Sequence, residues 1–76
     1  MGYFSVRVLH RDGKPAKDIG VMIDYGLFSG TDKKRTHSDG WVDFHNQENR
    51  SGYIWVDGLK MGNYSLGNGK TYSFTI

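Results

Sequence analysis

Apolar and polar residues alternate along much of the chain, with an apolar side chain at every second position. The clearest run is Tyr3 to Leu9, whose inward positions are Phe4, Val6 and Val8. The run from Ile19 to Tyr25 has the same period. A period of two is typical of a strand with one buried face. No window places apolar residues at a 3.6-residue spacing over three turns, so we predict no helix.

Shorter alternating runs, separated by glycine-rich turns, predict the other strands. Glycine favours turns because it reaches positive φ without steric cost. These strands are Lys34 to His37, Trp41 to His45, Tyr53 to Val56, a segment between Leu59 and Leu66, and Thr71 to Ile76. The predicted turns are Asp12 to Pro15, Asp39-Gly40 and Gly67 to Lys70.

The resulting prediction is an all-β fold, a small antiparallel Greek-key β-sandwich of about seven short strands. Residues 1–76 form a single domain in this prediction. Leu27 and Phe28 are too apolar for a fully exposed loop, and we expect them to cap one end of the core. The segment from Asn46 to Gly52 has no hydrophobic period and is predicted to be a surface loop.

Two structures fit the segment after Val56. Asp57-Gly58 can form a two-residue hairpin, in which Val56 lies opposite Leu59 and Ile54 opposite Met61, all inward. Alternatively, residues 58–62 form a loop that places Leu59 in the core, and a new strand begins at residue 63.

Composition narrows the classes of function. The 76 residues include no cysteine, which excludes disulfides, thiolate zinc sites and cysteine catalysis. No apolar run approaches the ~18 residues of a membrane span, so we expect a soluble domain with no membrane contact. The formal net charge of +2 is too small to indicate nucleic-acid binding by itself.

No arrangement of residues points to catalysis, and we expect neither an enzyme nor a cofactor. His37, Ser38 and Asp39 are the residue types of a hydrolase triad, but neighbours on a strand point to opposite faces and cannot form a relay. His10 and His45 each lie near a predicted strand end, as His37 does. Convergence of the three on zinc is chemically allowed, but nothing in their spacing requires it.

Three aromatic residues are the main binding candidates. If Val42 and Ile54 face inward, then Trp41, Tyr53 and Trp55 face outward. Such rings stack on sugars, nucleobases or protein partners, with Lys60 and Arg50 alongside. The alternative is that the rings cover the outer sheet and brace turns, since aromatic residues are good strand formers. We expect a non-catalytic binding or accessory module that contacts protein or carbohydrate.

A second candidate site is the basic run Lys33, Lys34 and Arg35. Together with aromatic rings it would suit nucleic acid or another polyanion. The other interpretation is a solvated strand entry, because charge runs usually lie in water.

Several short motifs resemble the carboxypeptidase regulatory-like domains of the transthyretin-like (prealbumin-like) β-sandwich type. They are Val6-Arg7-Val8, Asp12-Gly13-Lys14-Pro15, Val21-Met22-Ile23, Thr36 to Gly40 with Phe44, Leu59 to Tyr64, and Thr71 to Ile76. The resemblance implies the same sandwich architecture, which hosts many functions. It also implies the loop alternative for residues 58–64, with Leu59 inward and Tyr64 packed, its hydroxyl bonded to backbone.

The final strand carries no charge and no proline, so it lacks the usual protection against pairing with another chain. We predict that Thr71 to Ile76 is either central in its sheet or paired with a neighbouring molecule, and we favour the central position because Phe74 and Ile76 are large and apolar. The protein is accordingly expected to be a monomer or a weak dimer formed by strand addition.

Overall fold

The computed structural model describes residues 2–26, 30–46 and 51–76. It confirms the all-β prediction with seven strands: β1 (Gly2–Leu9), β2 (Gly20–Asp24), β3 (Thr31–Arg35), β4 (Trp41–Asn46), β5 (Ser51–Val56), β6 (Leu59–Ser65) and β7 (Thr71–Thr75). No helix long and apolar enough to cross a membrane occurs in these ranges. The predicted cap of Leu27 and Phe28, and residues 47–50 of the predicted loop, lie outside them.

The strands form two sheets that pack as a sandwich. The order is β4-β1-β7 in the three-stranded sheet and β3-β2-β5-β6 in the four-stranded sheet. Pairing is antiparallel in β1–β4, β2–β3, β2–β5 and β5–β6. In contrast to the antiparallel prediction, β1 and β7 run parallel. The first and last strands of the chain are therefore neighbours.

Most of the core consists of inward positions that the alternation predicts, but the buried Ala16 and Leu66 lie outside the strands. Several other predicted inward residues, such as Ile19, Phe74 and Ile76, are only partly buried. The rings of Phe4 and Phe44 stack at its centre, with centroids 5.5 Å apart. The fully buried apolar residues are Phe4, Val6, Val8, Ala16, Val21, Ile23, Val42, Phe44, Ile54, Val56 and Leu66. Because successive side chains of a strand point to opposite faces, the residues between these positions are directed outward.

The segment after Val56 is the two-residue hairpin, and the loop alternative is wrong. Asp57 and Gly58 both have positive φ, at 52° and 79°, as a tight hairpin turn requires. Leu59 lies opposite Val56 but is 64% exposed, so neither alternative placed it correctly. A register shift leaves Met61 unpaired and sets Ile54 opposite Gly62. This β-bulge explains the error for Met61, since an extra residue shifts the register beyond it. Leu59 precedes the bulge, so the bulge does not account for its exposure.

Strand β7 lies at the edge of its sheet, so the favoured central position is wrong. Its apolar side chains are only partly buried, although they pack against the core. Tyr72 packs edge-on against Phe4, and its hydroxyl donates to the Ser65 carbonyl. Desolvation raises the pKa of Tyr72 above its ordinary value of 10.0. Tyr64 is packed as expected, against the rings of Tyr72 and Phe74.

Thr36, directly after β3, fastens the connection between β1 and β2. Its buried hydroxyl donates to the Ala16 carbonyl at 2.6 Å and accepts from the Ile19 amide at 2.9 Å. Its own carbonyl accepts from the Asp18 amide at 2.9 Å. The side chain thus sets the position of residues 16–19 against the end of β3.

Strand β3 itself begins and ends earlier than predicted, which leaves His37 in the turn before β4.

Candidate functional site

A row of outward side chains crosses the whole four-stranded sheet. Lys33 on β3 lies opposite Met22 on β2, Met22 opposite Trp55 on β5, and Trp55 opposite Lys60 on β6. Neighbouring strands are ~4.8 Å apart, so the row is about 14 Å long. An aromatic ring is therefore flanked by a flexible apolar side chain and has a cation at each end of its row.

A second row lies beside the first, nearer the start of β5. Tyr53 lies opposite Asp24 on β2 and Asn63 on β6. The Lys60 ammonium group sits 3.8 Å from the centroid of the Tyr53 ring, within cation–π distance. We call this surface, defined by the two rows, the four-strand face. It unites three of the predicted binding residues: Tyr53, Trp55 and Lys60.

A groove borders the Trp55 ring on the side of β2 and β3. Its volume is about 250 Å³, and its lining residues are Asp18, Gly20, Met22, Lys33, Arg35, Trp55, Asp57 and Gly58. Pockets for drug-sized molecules usually measure ~300–1,000 Å³, so this groove suits a group no larger than one sugar ring or one side chain.

The charges on the four-strand face and its groove balance. The cations are Lys33, Arg35 and Lys60, and the carboxylates are Asp18, Asp24 and Asp57. Arg35 also donates to the Asp18 carbonyl at 2.9 Å, and its ion pair with the Asp18 carboxylate is loose, at 3.7 Å. Such an exposed pair contributes little to stability, so both groups stay available to a ligand.

The indole nitrogen of Trp55 is buried and has no hydrogen-bond partner within the described ranges. Since the polar atom of the ring is inaccessible, any accessible part of the ring is carbon. Trp55 therefore offers a ligand an apolar stacking surface rather than a hydrogen-bond donor.

Trp41 lies on the opposite side of the molecule, so the predicted aromatic residues do not form one surface. It belongs to β4 of the three-stranded sheet, where the Arg7 guanidinium packs over its ring at 5.6 Å.

The same outer face carries two other cross-strand pairs. Ser5 donates to the Asp43 carboxylate at 2.6 Å, and the rings of Tyr3 and His45 stack at 4.8 Å. Outward residues of β1 are thus matched by partners on β4, although the Tyr3 ring remains 61% exposed.

The basic run is divided by the alternation of β3. Lys33 and Arg35 point to the four-strand face, whereas Lys34 lies opposite the buried Val21. The Lys34 ammonium group donates to the Asp43 carbonyl at 2.9 Å and lies over the Phe44 ring. The predicted patch of three cations is therefore not a single surface. Arg50 lies outside the described residues.

The three histidines do not form a cluster with other metal-binding side chains. In the ranges 2–26, 30–46 and 51–76, no group of three or more His, Cys, Asp or Glu residues could hold a metal ion. His10 accepts through its carbonyl from the Gly13 amide, and the His37 amide donates to the Trp41 carbonyl.

Met22, Asp18 and Asp57 line the groove but were not among the predicted binding residues. For Met22 the sequence did carry a signal, because it alternates with Val21 and Ile23, which are fully buried. Its position beside Trp55 depends on the pairing of β2 with β5, which a period of two does not encode.

Neither the protein-family models nor the curated proteins with which the chain was compared contain a match to it.

Proposed function

We propose that this domain is a non-catalytic binding module whose binding site is the four-strand face. The observation that carries the proposal is the row of Lys33, Met22, Trp55 and Lys60 across four strands, beside a groove of about 250 Å³. An aromatic ring with positively and negatively charged side chains nearby suits a ligand that has apolar and hydroxyl-rich parts. Of the two expected ligand classes, protein and carbohydrate, these features favour carbohydrate.

The chemistry of a sugar ring matches the face in two ways. One side of a pyranose ring exposes C–H groups, whose burial against the Trp55 carbons removes apolar area from water. Its hydroxyl groups both donate and accept hydrogen bonds, so they can pair with lysine and arginine donors and with aspartate acceptors at once. The volume of the groove limits the deepest contact to a single ring.

The charge balance weighs against the polyanion alternative. A nucleic acid binds through several unopposed cations and releases counterions. On this face Lys33, Arg35 and Lys60 are matched by three carboxylates, and Lys34 is engaged elsewhere. Binding of a neutral sugar is expected to change little with ionic strength.

The resemblance to carboxypeptidase regulatory-like domains also remains a proposal. The two-sheet sandwich and the turn at Asp12 to Pro15, where the Lys14 amide donates to the Asp12 carboxylate at 3.0 Å, support it. The exposed Leu59 is not the corner that the resemblance implies.

The two tryptophans provide a matched pair for the experiment. Trp55→Ala is expected to weaken binding at least about tenfold for any oligosaccharide that shifts the Trp55 signal of the parent. The reason is that an aromatic anchor commonly contributes ~2 kcal/mol or more to the binding free energy. Trp41→Ala is expected to leave binding unchanged. The measurement is an NMR titration of labelled protein with neutral hexose and pentose oligosaccharides at low and high salt, followed at the backbone amide resonances of β2 and β5 because each variant lacks one indole signal.

The control for folding is Trp55→Phe, which keeps an aromatic surface. Three outcomes would contradict the proposal: no neutral oligosaccharide shifts the Trp55 signal, Trp41→Ala weakens binding as much as Trp55→Ala does, or only polyanions bind and do so with steep salt dependence.

A further inference from the structure

The sandwich has four sheet edges among its described strands, and three of them are obstructed. Strand β3 carries four consecutive charged residues, Asp32 to Arg35. Strand β6 is interrupted by the bulge at Met61, and its Ser65 carbonyl accepts from the Tyr72 hydroxyl. These are devices by which natural sheets prevent pairing with another chain: charge, irregular register and occupied backbone groups.

Strand β4 is protected in a further way. The Val8 amide on β1 donates to the Gly40 carbonyl. The backbone groups of residues 40 and 42 therefore point toward β1, since alternate residues of a strand point the same way. Successive residues of a strand direct their backbone groups to opposite sides, so the Asp43 carbonyl points to the open edge. The Lys34 ammonium group donates a hydrogen bond to this carbonyl at 2.9 Å, so the carbonyl is not free to pair with another strand.

Strand β7 has none of these devices within the described structure. It is uncharged, regular in register with β1 from Thr71 to Thr75, and free of proline. The Lys70 carbonyl accepts from the Ser5 amide, and the Ile76 amide donates to the Leu9 carbonyl, so the even-numbered residues bond to β1. By alternation, the amides and carbonyls of Thr71, Ser73 and Thr75 point to the open edge.

We propose that β7 pairs with β7 of a second copy of this chain in an antiparallel arrangement, with the two-fold axis at Ser73. Ser73 would then lie opposite itself, and Thr71 opposite Thr75, which forms about six backbone hydrogen bonds between the copies. The two three-stranded sheets become one continuous six-stranded sheet.

Three properties of the strand fit a second copy. It carries no charge that would be repelled across the axis. The outward side chains are exposed threonine and serine, which form favourable cross-strand pairs. On the inner face, Tyr72 would lie opposite Phe74 of the other copy, and both rings are only partly buried in the monomer. The contact is small compared with the ~1,200–2,000 Å² of stable interfaces, so the dimer is weak.

The test is sedimentation equilibrium over about 10 μM to about 1 mM, the range in which a contact of this size is measurable. The apparent mass is expected to rise from 8.6 kDa toward twice that value. Ser73→Lys and Ser73→Glu each place two like charges at the axis and are expected to remain monomeric. An equimolar mixture of the two variants is expected to regain the dimer, because the opposed charges then attract.

Thr31→Lys is the matched control, since it adds the same charge to an exposed position on β3, at an edge of the other sheet. It is expected to associate as the unsubstituted protein does. The proposal is overturned if the unsubstituted protein stays at 8.6 kDa over the whole range, if Ser73→Lys associates as strongly as the parent, or if the mixture of charged variants stays monomeric. None of these outcomes depends on ligand binding at the four-strand face.

Discussion

Gly40→Ala is expected to destabilise the domain by about 3–5 kcal/mol, a large part of the roughly 4–11 kcal/mol available to a chain of this length. Gly40 has φ of +81°, and a β-carbon there would lie 2.6 Å from the Val8 carbonyl oxygen. The backbone must shift to relieve this contact, which also disturbs the hydrogen bond from the Val8 amide to the Gly40 carbonyl. Strands β1 and β4 meet at this point.

Gly58→Ala separates the steric effect from the conformational one. Gly58 has nearly the same φ, +79°, but nothing lies within 4 Å of a β-carbon added there. It should cost only about 1–2 kcal/mol, the ordinary penalty for a left-handed conformation. Thermal unfolding measures both, since 1 kcal/mol shifts the midpoint of such a domain by ~4–8 °C. Equal midpoints for the two variants would show that the approach of Val8 to Gly40 has no energetic importance.

Thr36→Val is expected to destabilise the domain by about 2–4 kcal/mol, although valine has the same shape and is more apolar. Thr36 is only 5% exposed, and its hydroxyl satisfies both the Ala16 carbonyl and the Ile19 amide. Valine leaves that acceptor and that donor without a partner, at the fully buried Ala16 and the partly buried Ile19. Urea unfolding gives the free energy, and amide exchange at Ile19 reports the local loss.

Thr36→Ser is the control, because it keeps the hydroxyl and removes a methyl group at a cost of ~1 kcal/mol. The serine variant should therefore be more stable than the valine variant, which is the opposite of the order that apolar burial predicts. If the valine variant proves as stable as the parent, the Thr36 hydroxyl does not hold residues 16–19 in position.

The faces of the strands could be predicted from the sequence, but their partners could not. Alternation correctly separates inward Val42 and Ile54 from outward Trp41 and Trp55. It does not predict which sheet each strand joins, because a period of two defines only the two sides of a strand. Pairing across the chain then places the two tryptophans on opposite sides of the molecule.

The same limitation explains the errors at the end of the chain. Apolar side chains at Phe74 and Ile76 indicate a buried face, yet they do not reveal whether both flanks of the strand are paired. The parallel contact with β1 brings together residues 66 positions apart, and such long-range pairing leaves no local pattern. The bulge at Met61 was not predicted either, because the strand period gives no register between partners.

The parallel contact of β1 with β7 also determines how the domain responds to mechanical force. A pull applied at Gly2 and Thr75 draws the two strands past one another along their length, because they are adjacent and point the same way. The backbone hydrogen bonds between them are then loaded in shear together and must fail at once rather than one after another. We therefore expect the rate of forced unfolding to depend on this ladder. Tension along the chain is thus expected to meet its greatest resistance between the first and last strands.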